Sequence, residues 1–280
     1  MDGWSQANEA ARTAGVELRP LTSLADAERI LVVMIATWGE HQLLPREMIR
    51  ALGDSGNIPW GAFDGDEMIG YVLGWSGVDP EEGLHTHSHM LATLPNRRHR
   101  GVGFALKLAQ RAQCLDQGVP RVRWTYDPLL SRNAHLNLAK LGAVADRFLP
   151  NFYGEMSDTL NRGERSDRLM VRWDVERPIG GSAEETGFEV LGRAGDDPGV
   201  PSPTAIRSPE GAPALIRIPR DYLDLRERDR GLAQAWRQAT AAAFTACFGA
   251  GLVASGFTAD SAYVLTEPAR RPSALSSSGP

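Results

Sequence analysis

Cysteine is scarce in this chain of 280 residues. Cys114 and Cys247 lie far apart, both inside helical patterns, which speaks for reduced core thiols and against a disulfide framework. No stretch is long and apolar enough to span a bilayer, and the polar start Met1 to Ala11 has no apolar core of a signal peptide. A cytoplasmic protein with no membrane partner is expected. Basic excess is missing too: 30 Lys and Arg face 35 Asp and Glu, a formal net charge of -5, so no global positive field calls for nucleic acid. Neither G-x-x-x-x-G-K-[ST] nor the dinucleotide G-x-G-x-x-G is present, and no internal repeat is visible. The hydrophobic content of 42% is enough to bury a sizeable core.

One segment has a spacing that dictates chemistry. Pro95-Asn96-Arg97-Arg98-His99-Arg100-Gly101-Val102-Gly103 stands between a strand-like stretch, His85 to Leu94, and a helical pattern from Val102 to Gln117. That helix puts Val102, Leu106, Ala109, Ala112 and Leu115 on one face. The glycines let the backbone turn and approach a ligand, while the free N–H groups and positive dipole end of the first helical turn point into the same hollow. A diphosphate fits there.

Further along, Gln117-Gly118-Val119-Pro120 ends the helix, and Arg121 to Tyr126 alternates, with Val122, Trp124 and Tyr126 on one face. Asp127-Pro128 closes that strand. Ser131 to Ala143 then reads as a short helix with Ser131 as N-cap and Gly142 as its stop. Upstream, Val16 to Leu21 reads as a strand, Leu24 to Trp38 as a helix capped by Ser23, Pro45 to Leu52 as a helical turn or two, and Ala62-Phe63 with Ile69 to Trp75 as a hairpin around Asp64-Gly65-Asp66. Arg168 to Val175 suggests a further strand.

Composition divides the remainder. Residues 1–177 form the main domain. Pro, Gly, Ser and acidic residues mark 178–213 as an irregular connector. Segment 214–268 is an extension with one helix over Leu223 to Phe248 and a strand over Ser261 to Thr266, expected to pack on the sheet or complete a homodimer; 269–280 is a flexible tail.

His85-Thr86-His87-Ser88-His89 is the competing signal. In a strand the three imidazoles share a face, but the outer two stand about 13 Å apart. No single ion at about 2.0–2.1 Å from each nitrogen can hold all three. No metal is expected; a polar face lining an acceptor cleft, sensitive to pH near neutrality, is. Arg162, Arg165, Arg168 and Arg172, interleaved with Glu164 and Asp167, read as paired surface charges or as a carboxylate-binding cluster.

Arg98-x-x-Gly101-x-Gly103, followed at the right separation by a helix ending Lys140-Leu141-Gly142-Ala143, resembles the two signatures of the Gcn5-related N-acetyltransferase (GNAT) superfamily. The resemblance covers about Val16 to Val175, its specific part Ala92 to Ala143. It implies an α/β fold with a mixed, twisted, splayed sheet and helices on both faces. It also implies an N-acyltransferase moving acetyl or another short acyl group, succinyl included, from acyl-CoA to the primary amine of a small molecule such as an amino acid, by direct attack in a ternary complex.

By the same resemblance Arg98, His99, Arg100, Gly101, Val102, Gly103 and Phe104 hold the pyrophosphate, and Leu91, Ala92 and Thr93 lie along the pantetheine. Asn133 and Asn137, four apart on one helical face, read either as binders of its amides or of the acceptor, or as a capping residue and a solvent-exposed face. Proton carriers are sought among Glu40, His41, Glu81, Glu82, His87 and His89. The tyrosine that many members place two residues before the lysine is here Leu138, so Tyr126 and Tyr153 are substitutes by residue type only. That loss admits a CoA-binding or regulatory module without catalysis, or a thioester hydrolase or decarboxylase, as alternatives.

Overall fold

The computed structural model describes residues 2–40, 43–97, 101–156, 163–181, 183–184, 186–195, 197 and 200–269. The chain begins with a helix that the sequence reading missed, α1 (Gly3–Ala14), capped by Asp2 accepting from the Ser5 N–H and closed by Gly15 in the left-handed region. Its buried face is Ala7, Ala11 and Ala14; alanines bury little area and leave a faint periodic signal. α1 lies along α4 (Val102–Asp116), and Trp4 Nε1 donates to Asp116 Oδ2 at 2.6 Å. α1 covers the outer side of α4, where Arg111 Nη1 donates to Gln6 Oε1 at 2.7 Å, while Lys107 and Gln110 are buried on the sheet side, so α4 is buried nearly all round.

After β1 (Glu17–Pro20), α2 (Leu24–Trp38) starts at a capping box in which Ser23 and Asp26 bind each other's backbone N–H. α3 (Arg46–Asp54) follows, then β2 (Trp60–Asp64), β3 (Glu67–Asp79) and β4 (Gly83–Thr93), the last two a long hairpin. The next strands are β5 (Arg121–Tyr126), β6 (Val144–Leu149) and β7 (Arg168–Asp174). Between β5 and β6 the expected helix is two things: an α-helical turn, α5 (Ser131–Ala134), and a wider π-helical turn, His135–Lys140. Leu130 occupies the N-cap without a side-chain bond; Ser131 is instead paired through its hydroxyl with Ser261 at 2.9 Å.

Residues 178–213 contain β8 (Phe188–Leu191), β9 (Arg193–Ala194) and β10 (Ser202–Pro203), and β11 (Ala214–Arg217) follows. The single helix expected over Leu223 to Phe248 is broken: α6 (Tyr222–Arg228) stops at Asp229, whose side chain caps α7 (Arg230–Gly249) by accepting from the Leu232 N–H. β12 (Val253–Phe257) and β13 (Ala262–Thr266) end the described fold.

Among the described residues eleven strands form one sheet, in the order β1-β2-β3-β4-β5-β7-β6-β12-β13-β11-β8. The C-terminal segment thus extends the sheet past β6 and adds α7 to its cover. Trp173, Trp236, Phe244 and Tyr263 are fully buried in the core spanning β7, α7 and β13, where each large apolar side chain contributes about 1.5–3 kcal/mol.

Candidate active site

β4 is where the sheet opens. It pairs in parallel with β5 only at Thr86↔Val122 and His87↔Arg123; beyond these the two strands part. On its other side β4 slips register against β3, with Gly74 opposite Ser88 but Leu73 opposite Met90, so His89 is a bulge. The bulge flips the side-chain phase: Thr86 and Ser88 face α4 before it, and Leu91 faces Val102 and Leu106 of α4 after it. Leu94 N–H donates to Ile69 O. Since antiparallel N–H groups alternate, those of Leu91 and Thr93 point the other way, into the gap.

The gap's upper end is the loop before α4. Gly101, the N-cap, has φ 84° and makes no side-chain cap, and no acidic residue occupies the first turn. The N–H groups of Val102, Gly103 and Phe104 are therefore left for a ligand. A Cβ on Gly103 would stand 3.4 Å from Leu91 Cδ2 and 3.8 Å from Leu136 Cδ2, so the glycine leaves an open hollow rather than filling a tight contact. A cavity of about 360 Å³ lies there, lined by Leu91, Ala92, Thr93 and Gly101 to Phe104 from one wall and by Asn133, Leu136 and Lys140 from the other. Uncapped amides, a positive helix end and the Lys140 ammonium suit the phosphates of CoA. Arg98, His99 and Arg100 lie outside the described residues, as does His41.

A second cavity, about 530 Å³, continues from the first through Trp38, Leu91, Leu130, Asn133 and Leu136. It holds His89, Tyr126 and Asn137, and so joins residues that the sequence reading had only in separate segments. Tyr126 lines it with its ring, yet its hydroxyl is buried against that of Tyr263 and burial pushes its pKa far up; a phenol in that position is a poor proton donor to the cleft. Tyr153 is more open, its hydroxyl 3.1 Å from Thr125 Oγ1. His87 lines neither cavity; it packs on the Trp75 ring at 5.0 Å. Glu40 is exposed two residues past α2 and lines neither cavity. Glu81 and Glu82 sit in the β3–β4 turn, about 23 Å along the strand from the bulge, where Glu82 pairs with Arg123 and Arg172.

Two imidazoles of the histidine face, His87 and His89, are held below the ordinary imidazole range. Burial, then the charges of His89, His85, Lys107 and Arg123, push His87 down to about 4, and burial lowers His89 as well. A neutral folded-state imidazole stabilises the fold above the unfolded value near 6.5, and that contribution is lost as pH falls from there toward 4. The His87 ring resonances are expected to titrate with a midpoint near 4 in an NMR series; a midpoint at 6 or above contradicts this environment.

Several cleft residues escaped the sequence reading. Lys107 is 2% exposed. Its Nζ donates to Ser88 Oγ at 2.7 Å and to Gln110 Oε1 at 3.4 Å, and stands 3.8 Å from the Trp124 ring centroid. Burial lowers its pKa to about 7, against a small opposing effect of Cys114. The signal was a lysine standing between Leu106 and Leu108 inside an apolar pattern. Asp127 and Glu155 also line the larger cavity, and Tyr222, Leu223 and Arg226 of α6 line it from the extension. Of the arginine cluster, Arg165 pairs with Asp167 at 2.7 Å and Arg172 with Glu82 at 3.5 Å; Arg168 reaches the cleft, and Arg162 lies outside the described residues.

The family model for the acetyltransferase (GNAT) family matches residues 25–143, the stretch that carries both signatures and β4 to α5. The ribosomal-protein-S18-alanine N-acetyltransferase from Escherichia coli is similar over 62% of this chain and 99% of that one, with 12% identity and a TM-score of 0.45. A chain of the NatC complex bound to Gag peptide and CoA is similar over 57% and 98%, with 14% identity and a TM-score of 0.45. An aminoglycoside acetyltransferase from an uncultured soil metagenomic sample is similar over 40% and 78%, with 16% identity and a TM-score of 0.37. No curated protein matches. Residues 25–143 thus match the model of the acetyltransferase (GNAT) family, whose members take acetyl-CoA or another acyl-CoA as co-substrate.

Proposed function

We propose that this GNAT enzyme transfers a short acyl group, acetyl or a dicarboxylic acyl such as succinyl, from acyl-CoA to the primary amine of a small molecule such as an amino acid. The supporting observation is that the phosphate-side cavity at the start of α4 runs into the larger cavity at the bulge, with Leu91 and Asn133 common to both. Donor and acceptor then meet without either having to leave, which is the requirement for direct attack in a ternary complex.

Each residue has a chemical task in this reading. The gap-facing N–H of Leu91 donates to the thioester oxygen as it becomes an oxyanion, a contribution of about 2.7–4 kcal/mol to the barrier. Asn133 and Asn137 hold the amides of the pantetheine arm. An α-amino group near 7.7–8.0 already has a tenth or so of its population neutral at pH 7, so a weak acceptor such as His89, depressed but facing the cleft, or a water chain suffices. No cysteine serves as an acyl carrier: Cys114 and Cys247 are buried, and burial raises both thiols, Cys247 to about 11. That Tyr222, Leu223 and Arg226 of the extension line the acceptor cavity supports a small acceptor over a protein chain. We place the reaction in the cytoplasm; among the described residues no helix is long and apolar enough to cross a membrane.

The test is thiol release from acetyl-CoA and succinyl-CoA across an amino-acid panel, with products weighed by mass spectrometry. Acylated amine is the expected product. Thiol release with free acid alone indicates a hydrolase, and silence with intact CoA binding indicates a CoA-responsive module.

A further inference from the structure

The ammonium of Lys107 has no carboxylate partner among the described residues, although it is 2% exposed. Burying a charge without a counter-charge is costly, and proteins seldom retain one without use. Its position is specific. The last ladder pair joining β4 to β5 is His87↔Arg123, and Ser88 and Trp124, the next residue on each strand, are the groups that Nζ touches. Lys107 therefore closes the narrow end of the gap, and with Ser88 and Trp124 it lines the larger cavity.

Along β4 the sequence of environments runs from Thr93, Ala92 and Leu91 in the phosphate-side cavity to Met90, His89 and Ser88 in the other. A donor anchored at the start of α4 with its carbonyl at the Leu91 N–H points whatever extends beyond that carbonyl toward Ser88 and Lys107.

We propose that Lys107 and Ser88 form a carboxylate-binding site at the closed end of the gap, occupied by the far end of a dicarboxylic acyl group of four or five carbons. This rests on the acyltransferase reading above and deepens it by assigning the donor class. An acyl carboxylate supplies the missing counter-charge, keeps the Ser88 bond, and leaves the ring of Trp124 against the methylenes. Acetyl, lacking that group, leaves the ammonium buried and unpaired.

The titratable groups facing Lys107 and its cavity include Cys114 on its own helix, His87 and His89 on β4, and Tyr126 and Asp127 at the end of β5; Cys114, His87, His89 and Tyr126 are all shifted away from their charged forms, and the Asp127 carboxylate is taken up by Arg237. Lys107 thus governs the pH behaviour of this site. Binding a carboxylate requires the ammonium, so selectivity for the dicarboxylic donor falls as pH rises above about 7. A proton acceptor would do the opposite, gaining rate over the same range.

The experiment compares kcat/KM and Kd for succinyl-CoA and acetyl-CoA between pH 6 and 9, in the full chain and in Lys107→Met and Lys107→Gln. The wild type is expected to favour succinyl-CoA, and both variants to lower that ratio about 10- to 100-fold, the usual range for a lost charged hydrogen bond, with the pH dependence of the ratio gone. Thermal midpoints check the fold: Lys107→Met removes an uncompensated charge and is expected not to lower it. A wild-type ratio at or below one, or a ratio unmoved by either variant, overturns the site. Acetyl transfer that rises through pH 7 and loses this rise in Lys107→Met overturns it in favour of proton transfer. A second arm pairs an amino acid with its decarboxylated amine; if Lys107 variants change that ratio instead, the carboxylate comes from the acceptor and the donor assignment fails. Absence of any transfer with either donor, by contrast, defeats the acyltransferase reading itself.

Discussion

Gly103→Leu is expected to weaken CoA binding at least 100-fold while leaving the protein folded. Position 103 is in the first turn of α4, facing the cavity that Leu91 and Leu136 line. A Cβ there meets only ordinary van der Waals contacts at 3.4 and 3.8 Å, so alanine is tolerated and the larger branch of leucine, blocked by Leu91, projects into the hollow. It then occupies the space that a diphosphate needs to reach the first-turn N–H groups. Helix propensity works in favour of the variant, since glycine in a helix costs about 1 kcal/mol relative to alanine. Isothermal titration with CoA and an unfolding curve separate the two effects. Gly101→Ala provides the contrast: at φ 84° a side chain strains the backbone by about 1–2 kcal/mol, so stability falls there without the hollow being filled. Unchanged CoA affinity in Gly103→Leu contradicts the phosphate site.

The features legible in the sequence are those set by neighbours in the chain. Two glycines before a helical period, an alternating β5, and a Lys-x-Gly stop are local patterns with local causes, and they led to the fold and to the cavity at the start of α4. α1 was not legible, since Ala7, Ala11 and Ala14 form a face too small to register as amphipathic. Nor was the π-helical turn at His135–Lys140, which no residue type marks and which alters the face relation of Asn133 and Asn137. The acceptor wall depends on pairing over distance: Arg237 meets Asp127 across 110 residues, and α6 reaches the cleft only because the sheet continues through β12, β13 and β11. Lys107 was hidden in another way. A lysine in an apolar helix pattern reads as a snorkelling or exposed side chain unless it is known that its ammonium meets Ser88 and Trp124 of the sheet.

The segment that supplies that wall is held by one buried arginine, and Arg237→Met is expected to cost about 3–5 kcal/mol of stability, the range for breaking a buried ion pair on one side. Arg237 is 6% exposed. It binds both oxygens of Asp127 at 2.7 and 2.9 Å and Glu164 Oε2 at 2.6 Å. Burial lowers the pKa of its guanidinium, but Asp127 and Glu164 outweigh this and hold it charged. Tyr222 adds its hydroxyl to the Glu164 carboxylate at 2.8 Å, so α6, α7, the end of β5 and the stretch before β7 share one node. Methionine fills the volume and leaves two buried carboxylates facing each other. Urea unfolding with an unchanged slope reports the loss as a lower midpoint. Adding Asp127→Asn to Arg237→Met is expected to recover part of it, because one stranded charge is removed. Arg228→Ala is the control: its pair with Asp224 is 57% exposed on the arginine side and is worth no more than about 0.5 kcal/mol. Asp127 and Tyr222 line the acceptor half of the cleft but not the phosphate half, so KM for the amine is expected to rise several-fold in Arg237→Met while CoA affinity holds. Equal losses on both substrates, or a midpoint shift no larger than that of Arg228→Ala, contradict the view that this node positions the acceptor wall.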